Sequence, residues 1–171
     1  MTRGAALAAA LLMTAVPALA LEAPTGKVVL TVSGKLGSAN QTNQAGAATF
    51  DAAMLAALPQ RSVTTHTPWH KGQHKFTGPL LRDVLTAAGA SIADKDQVIE
   101  VMAINDYKVS IPLQDALRFD LLLARLMDDL PMALRDKGPL FVIYPFDTDP
   151  QLRSNIYFSR SAWQVKAIAL R

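Results

Sequence analysis

The 171-residue chain contains no cysteine. That absence excludes disulfides, thiolate metal sites, iron–sulfur clusters and any cysteine nucleophile. It also excludes lipid attachment at a cysteine exposed by processing. Charged residues make up only 18% of the chain and aromatics 6%, with a formal net charge of +3. No basic block of the kind that follows a phosphate backbone occurs, so nucleic acid is not an expected partner despite an isoelectric point near 9.3. No apolar run reaches the roughly 20 residues that a spanning helix requires, so membrane insertion is not expected either. Gly34 and Gly37 lack the third glycine and the strand–helix setting of a dinucleotide fingerprint. There is no G-x-S-x-G elbow, and the histidines have no acid neighbour in sequence, so a hydrolase finds no support.

Half the residues are apolar, enough for one domain that stands without staples. The amino terminus has the order of a secretory signal: Arg3 as a positive charge, an apolar stretch over residues 5–16, and Ala18-Leu19-Ala20 as an A-x-A cleavage site. The expected organisation is a signal peptide at 1–20, cut after Ala20, and a single soluble domain at 21–171. Its expected location is periplasmic or secreted.

Alternating β-branched residues predict a strand at 28–32, and a polar loop follows at 34–48. Asp51 is suited to cap a short helix over 52–58, which Pro59 stops. Residues 62–67 read as a strand, with Lys71-Gly72 as a hairpin turn into a second strand at 74–77. Gly78-Pro79 opens the clearest helix, with Leu80, Leu81, Val84, Leu85 and Ala88 on one face and Gly89 at its end. Strands are expected at 98–104 and 107–111 around an Asn105-Asp106 turn, then one or two helical turns at 113–118. Further strands are expected at 121–127, 140–144 and 163–170, with turns at 128–129 and 136–139 and a loop over 146–155. Short strands with a few inserted helices predict an α+β class with a mixed or antiparallel sheet.

Three groups of residues could carry chemistry. His66, His70 and His74 fall within nine positions, and imidazole suits Zn, Cu or Ni, but no carboxylate nearby in sequence completes a ligand set. The plain alternative is an exposed polar hairpin. Trp69, beside the Pro68 break, can wall a small-molecule pocket or pack in the core. Asn105-Asp106-Tyr107 is a turn tripeptide, while Arg153, Arg160 and Lys166 could gather on an anion or remain solvated.

The order of several short motifs resembles the molybdopterin-binding domain of sulfite oxidase-type oxidoreductases, and in particular its small exported members. The matching pieces are LTVSG at 30–34, FTGPLLRDVL at 76–85 with AG at 88–89, NDY at 105–107 with IPL at 111–113, LLA at 122–124, GPL at 138–140 through IYP at 143–145, and WQVKAI at 163–168. They span nearly all of residues 21–171. The resemblance implies a sheet-rich α+β fold that, in catalytic members, holds a pterin-bound molybdenum ligated by one cysteine thiolate. Here that ligand would fall near residues 65–69, which read Thr-His-Thr-Pro-Trp. A hydroxyl or imidazole does not replace a soft thiolate in setting the metal's ligand field. Catalytic members also carry a Lys before the Trp of the last strand, where this chain has Ala162, with Arg160 as the nearest cation. The basic, Gly-rich stretch after the ligand is reduced to Lys71-Gly72.

These departures lead to the expectation of a catalytically degenerate site with no metal and no bound molybdopterin. The expected function is an exported binding module, a ligand-binding, accessory or sensory protein. Its pocket would be formed by Trp69, Asp106, Tyr107, Arg153 and Arg160 and would take a small anionic or planar ligand, or else an envelope protein partner. The alternative is a molybdopterin-dependent oxidoreductase that holds its cofactor without a Cys ligand.

Overall fold

In β1 (Val28–Gly34) the side chains of Leu30 and Val32 are fully buried between more exposed neighbours, as a half-buried strand requires. The structure, a computed structural model, describes residues 21–36 and 46–171. The signal reading at 1–20 and most of the loop expected at 34–48 lie outside the described residues.

β1 pairs antiparallel with β2 (Ala48–Asp51) and parallel with the last strand, so the two ends of the domain meet in one sheet. Asp51 closes β2 and caps α1 (Ala52–Ala57), accepting the Met54 N–H at 2.8 Å as expected. The carboxylate also accepts from Gly26 and Thr25 N–H. The Met54 N–H, followed by that of Gly26, holds its pKa below the usual aspartate value.

β3 (Gln60–Thr67) and β4 (His70–Pro79) form a long antiparallel hairpin. Its turn lies at Pro68-Trp69 and not at Lys71-Gly72 as expected. Register jumps from His66 opposite Gln73 to Thr67 opposite His70, so Lys71 and Gly72 are the extra residues of a bulge, with Gly72 at φ 81°. A glycine with positive φ serves a bulge as readily as a turn, and sequence pattern cannot separate the two.

The second correction concerns Gly78-Pro79. This pair ends β4, and α2 (Leu81–Ala87) begins two residues later. Gly78 is required where it lies, because a Cβ there would stand 2.1 Å from the Leu123 carbonyl oxygen. The anticipated apolar face of α2 is correct: Leu81, Val84, Leu85 and Ala88 are fully buried, with Leu80 nearly so.

β5 (Val98–Ala103) and β6 (Lys108–Pro112) form the expected hairpin, with Asp106 at φ 65° in its turn, and α3 covers Leu113–Arg118 as read from sequence. The strand expected at 121–127 divides at Arg125 into β7 (Leu122–Ala124) and β8 (Leu126–Met127), which belong to different sheets. After β9 (Leu130–Pro131), β10 (Phe141–Ile143) pairs with β7. Instead of a continuous loop, 146–155 holds a 3-10 turn at Pro150–Leu152 and the start of α4 (Asn155–Arg160). The final strand also divides. Gln164 at φ 53° turns the chain from β11 (Ala162–Trp163), paired with β10, into β12 (Val165–Leu170).

The result is the anticipated α+β class, with sheets ordered β2-β1-β12-β5-β6, β11-β10-β7 and β3-β4-β8-β9 around one core. Among the described residues no helix is long and apolar enough to cross a membrane.

Candidate functional site

The chain's change of sheet at Gln164 leaves Trp163 at the mouth of a cleft of about 570 Å³. Trp69 of the β3–β4 turn forms one wall. Ala103, Asn105 and Tyr107, around the β5–β6 turn, form another. α4 supplies Asn155, Phe158 and Ser159, and the segment entering β11 supplies Ser161, Ala162 and Trp163. The volume falls within the range of small-molecule sites.

Trp69 anchors the aromatic part. Its ring meets those of Trp163, Phe141, Phe146 and Phe158 edge to face, with centroids 5.4 to 6.2 Å apart. The Lys137 ammonium lies 4.1 Å from the Trp163 ring centroid, and burial lowers its pKa. Lys137 is not itself among the residues lining the cleft.

Of the residues singled out in sequence, Trp69 and Tyr107 line the cleft and the two arginines do not. Asp106 lies beside it in the turn, paired with Lys166 at 2.6 Å, which holds its carboxyl below the ordinary value. Arg153 is committed to Asp147 at 2.9 Å and to the Phe146 carbonyl.

Arg160 donates to Asp115 at 2.8 Å, and the same Asp115 oxygen accepts from the buried Tyr144 hydroxyl at 2.7 Å. Burial, then this hydrogen bond, raises the Tyr144 phenol far above its ordinary value. Helical geometry accounts for the separation: Asn155, Phe158 and Ser159 share one face of α4, while Tyr157 and Arg160 point the other way. The expected convergence of indole and guanidinium therefore does not occur.

Sequence reasoning missed Phe158, Asn155, Ser159 and Trp163. The Tyr157-Phe158 doublet within an i, i+3, i+4 spacing was the available signal, in a stretch between the loop expected at 146–155 and the strand expected at 163–170 to which no element was assigned.

The histidines do acquire carboxylates through the fold. His66 Nδ1 and N–H both meet Asp147, and His74 Nδ1 meets Asp128 at 2.7 Å. Burial alone would raise the Asp147 carboxyl, but the His66 N–H, the Gln73 amide and the His66 ring outweigh it and bring it down to about 2. The Asp128 hydrogen bond raises His74, whereas burial, then repulsion from His74 and Lys137, lowers His70. Among the described residues no group of three or more such side chains is arranged to hold a metal ion.

The stretch where a molybdenum ligand would fall offers two committed hydroxyls and the exposed imidazole of His66, and no thiolate. Thr65, fully buried, donates to the His66 carbonyl and accepts the Asp147 N–H. Thr67 Oγ1 accepts from the Trp69 and His70 N–H groups and pairs with His70 Nδ1. With no thiolate in the chain and, among the described residues, no cation lining the cleft, this donor set does not fit a thiolate-ligated molybdenum with an anionic pterin.

The fold, though not the donor set of the cleft, is that of an oxidoreductase molybdopterin-binding domain. The chain belongs to the oxidoreductase molybdopterin binding domain family, whose model matches residues 38–147. Among solved structures it is similar to the sulfane dehydrogenase SoxCD from Paracoccus pantotrophus, with a TM-score of 0.60 and 12% identity. The match covers 82% of this chain and 37% of that one, so this chain spans well under half its length. At that identity the likeness shows the fold alone. No curated protein matches the chain.

Proposed function

We propose that this chain is a catalytically degenerate, exported member of its family, a ligand-binding, accessory or sensory protein that uses the aromatic cleft to hold a small molecule. The observation that carries the reading is the commitment of Thr65 and Thr67, where a thiolate would be needed, to backbone groups of their own turn and of the 146–148 segment. A hydroxyl engaged in this way lacks the softness of a thiolate. The sulfane dehydrogenase chemistry of the structural relative is therefore not carried over.

Metal analysis of protein made in a molybdenum-replete host tests this directly. The expected result is no stoichiometric molybdenum. Near-stoichiometric metal, with pterin fluorescence released on denaturation, overturns the reading in favour of an oxidoreductase that holds its cofactor without a Cys ligand. Thr65→Cys, His66→Cys or Thr67→Cys should not restore redox turnover, because no cation for the pterin phosphate lines the cleft among the described residues. Export is tested by amino-terminal sequencing of envelope material, which should begin at Leu21.

A further inference from the structure

The cleft is lined by aromatic rings and by neutral amides and hydroxyls, and by no charged side chain among the described residues. We infer that its ligand is an uncharged, flat ring compound bearing a carboxamide or ring-carbonyl edge, and that anions are rejected. This inference rests on the proposal that the cleft is a ligand site.

The nearby cations are already engaged. Arg160 is held by Asp115, Arg153 by Asp147 and Lys166 by Asp106, while Lys137 is drawn to the Trp163 ring. A carboxylate or phosphate entering the cleft would lose water and meet no charged side chain among those that line it, a penalty a neutral group avoids. Rejection of the charged analogue thus follows from what the lining omits.

Hydrogen-bonding capacity remains where a neutral edge could use it. The Asn155 side chain makes no hydrogen bond among the described residues, so both its carbonyl and its NH2 are available. Asn105 Oδ1 accepts the Tyr107 N–H, leaving its NH2 to donate. Ser159 donates to the Ile156 carbonyl and keeps its lone pairs. Two amides facing a ring-lined space match the paired donor and acceptor of a carboxamide or lactam, while the indoles accept the ring.

The chain's two tryptophans both line the cleft, so tryptophan fluorescence, excited selectively over tyrosine, reports on it. The test is titration of the full chain with matched pairs that share a ring and differ in charge: nicotinamide against nicotinate, indole-3-acetamide against indole-3-acetate, and riboflavin against its 5′-phosphate. The expected result is saturable quenching by the neutral member of at least one pair, with its charged partner weaker by about tenfold or more. Asn155→Lys, at an exposed position, should narrow that gap by strengthening the acid.

Equal or tighter binding of the charged partner overturns the inference and leaves the cleft as a ligand site. No saturable response from any member, in the wild type or in the Lys variant, overturns both the inference and the reading on which it rests.

Discussion

Trp69 and Trp163 meet edge to face, their ring centroids 5.4 Å apart and their planes inclined at 64°. One stands in the β3–β4 turn and the other in β11, 94 positions along the chain by number, so the contact exists only in the folded protein. Ring pairs of this kind contribute about 0.5–1.5 kcal/mol beyond the area they bury.

The two rings differ in what else they hold. Trp69→Ala removes a ring packed on four others and should cost about 3 kcal/mol, whereas Trp163→Ala, at a ring 36% exposed, should cost about half that. Urea unfolding measures both. Coupling between the indoles should also give a paired positive and negative circular dichroism band that either Trp→Phe change abolishes. Persistence of the band in both variants would contradict the contact.

Arg160 ties α4, and with it one wall of the cleft, to Asp115 on α3. Arg160→Ala leaves a carboxylate that is nearly buried without its cation, and should destabilise by about 1–3 kcal/mol after allowance for the partial exposure of the arginine. Arg160→Lys should recover only part of this loss, since a point charge does not reproduce the guanidinium fork. An unchanged urea midpoint for the Ala variant would remove the structural role assigned to the pair.

Acid stability should depend on Asp147. Its folded pKa of about 2 lies below the ordinary unfolded value of about 3.9, so the fold favours the charged form. The stabilisation is complete above about pH 4 and is lost as the pH falls toward 2. Asp51 and Asp128 are shifted in the same direction. Asp147→Asn should therefore flatten the loss of stability across that window without abolishing it, which thermal melts in steps of pH will show.

The His74–Asp128 pair carries the opposite sign for its histidine. The imidazole is raised above its ordinary value, so its contribution is present at and below the usual histidine range and declines as the pH rises through the raised value. His74→Gln should lower stability at mildly acidic pH more than at alkaline pH. A uniform loss at every pH would show that the ring acts by packing alone.

Gly78 is fixed by the approach of β4 to β7. Gly78→Ala forces a methyl against the Leu123 carbonyl and should cost about 1–3 kcal/mol, while Gly72→Ala, with open space around it, should cost less and only through its positive φ. Denaturation midpoints that rank the two in the reverse order would contradict the register of this region.

Where a signal was local, it was legible. Alternation in 28–32 marks β1, the Asp51 carboxylate marks the start of α1, and the Leu81, Val84, Leu85, Ala88 spacing marks the buried face of α2, because each depends on neighbours a few positions away. The absence of cysteine, which rules out a thiolate ligand, is likewise a fact of composition alone. The ordered motifs carried the family, and with it the α+β fold. Tertiary structure decided the rest. A left-handed Gln164 sends Trp163 and Val165 into different sheets, and the two faces of α4 turn Phe158 toward the cleft and Arg160 toward Asp115. Each of these depends on which distant carboxylate, ring or strand edge is close enough to capture a side chain. That is a property of the packed chain, and it left a guanidinium expected in the site bound outside it.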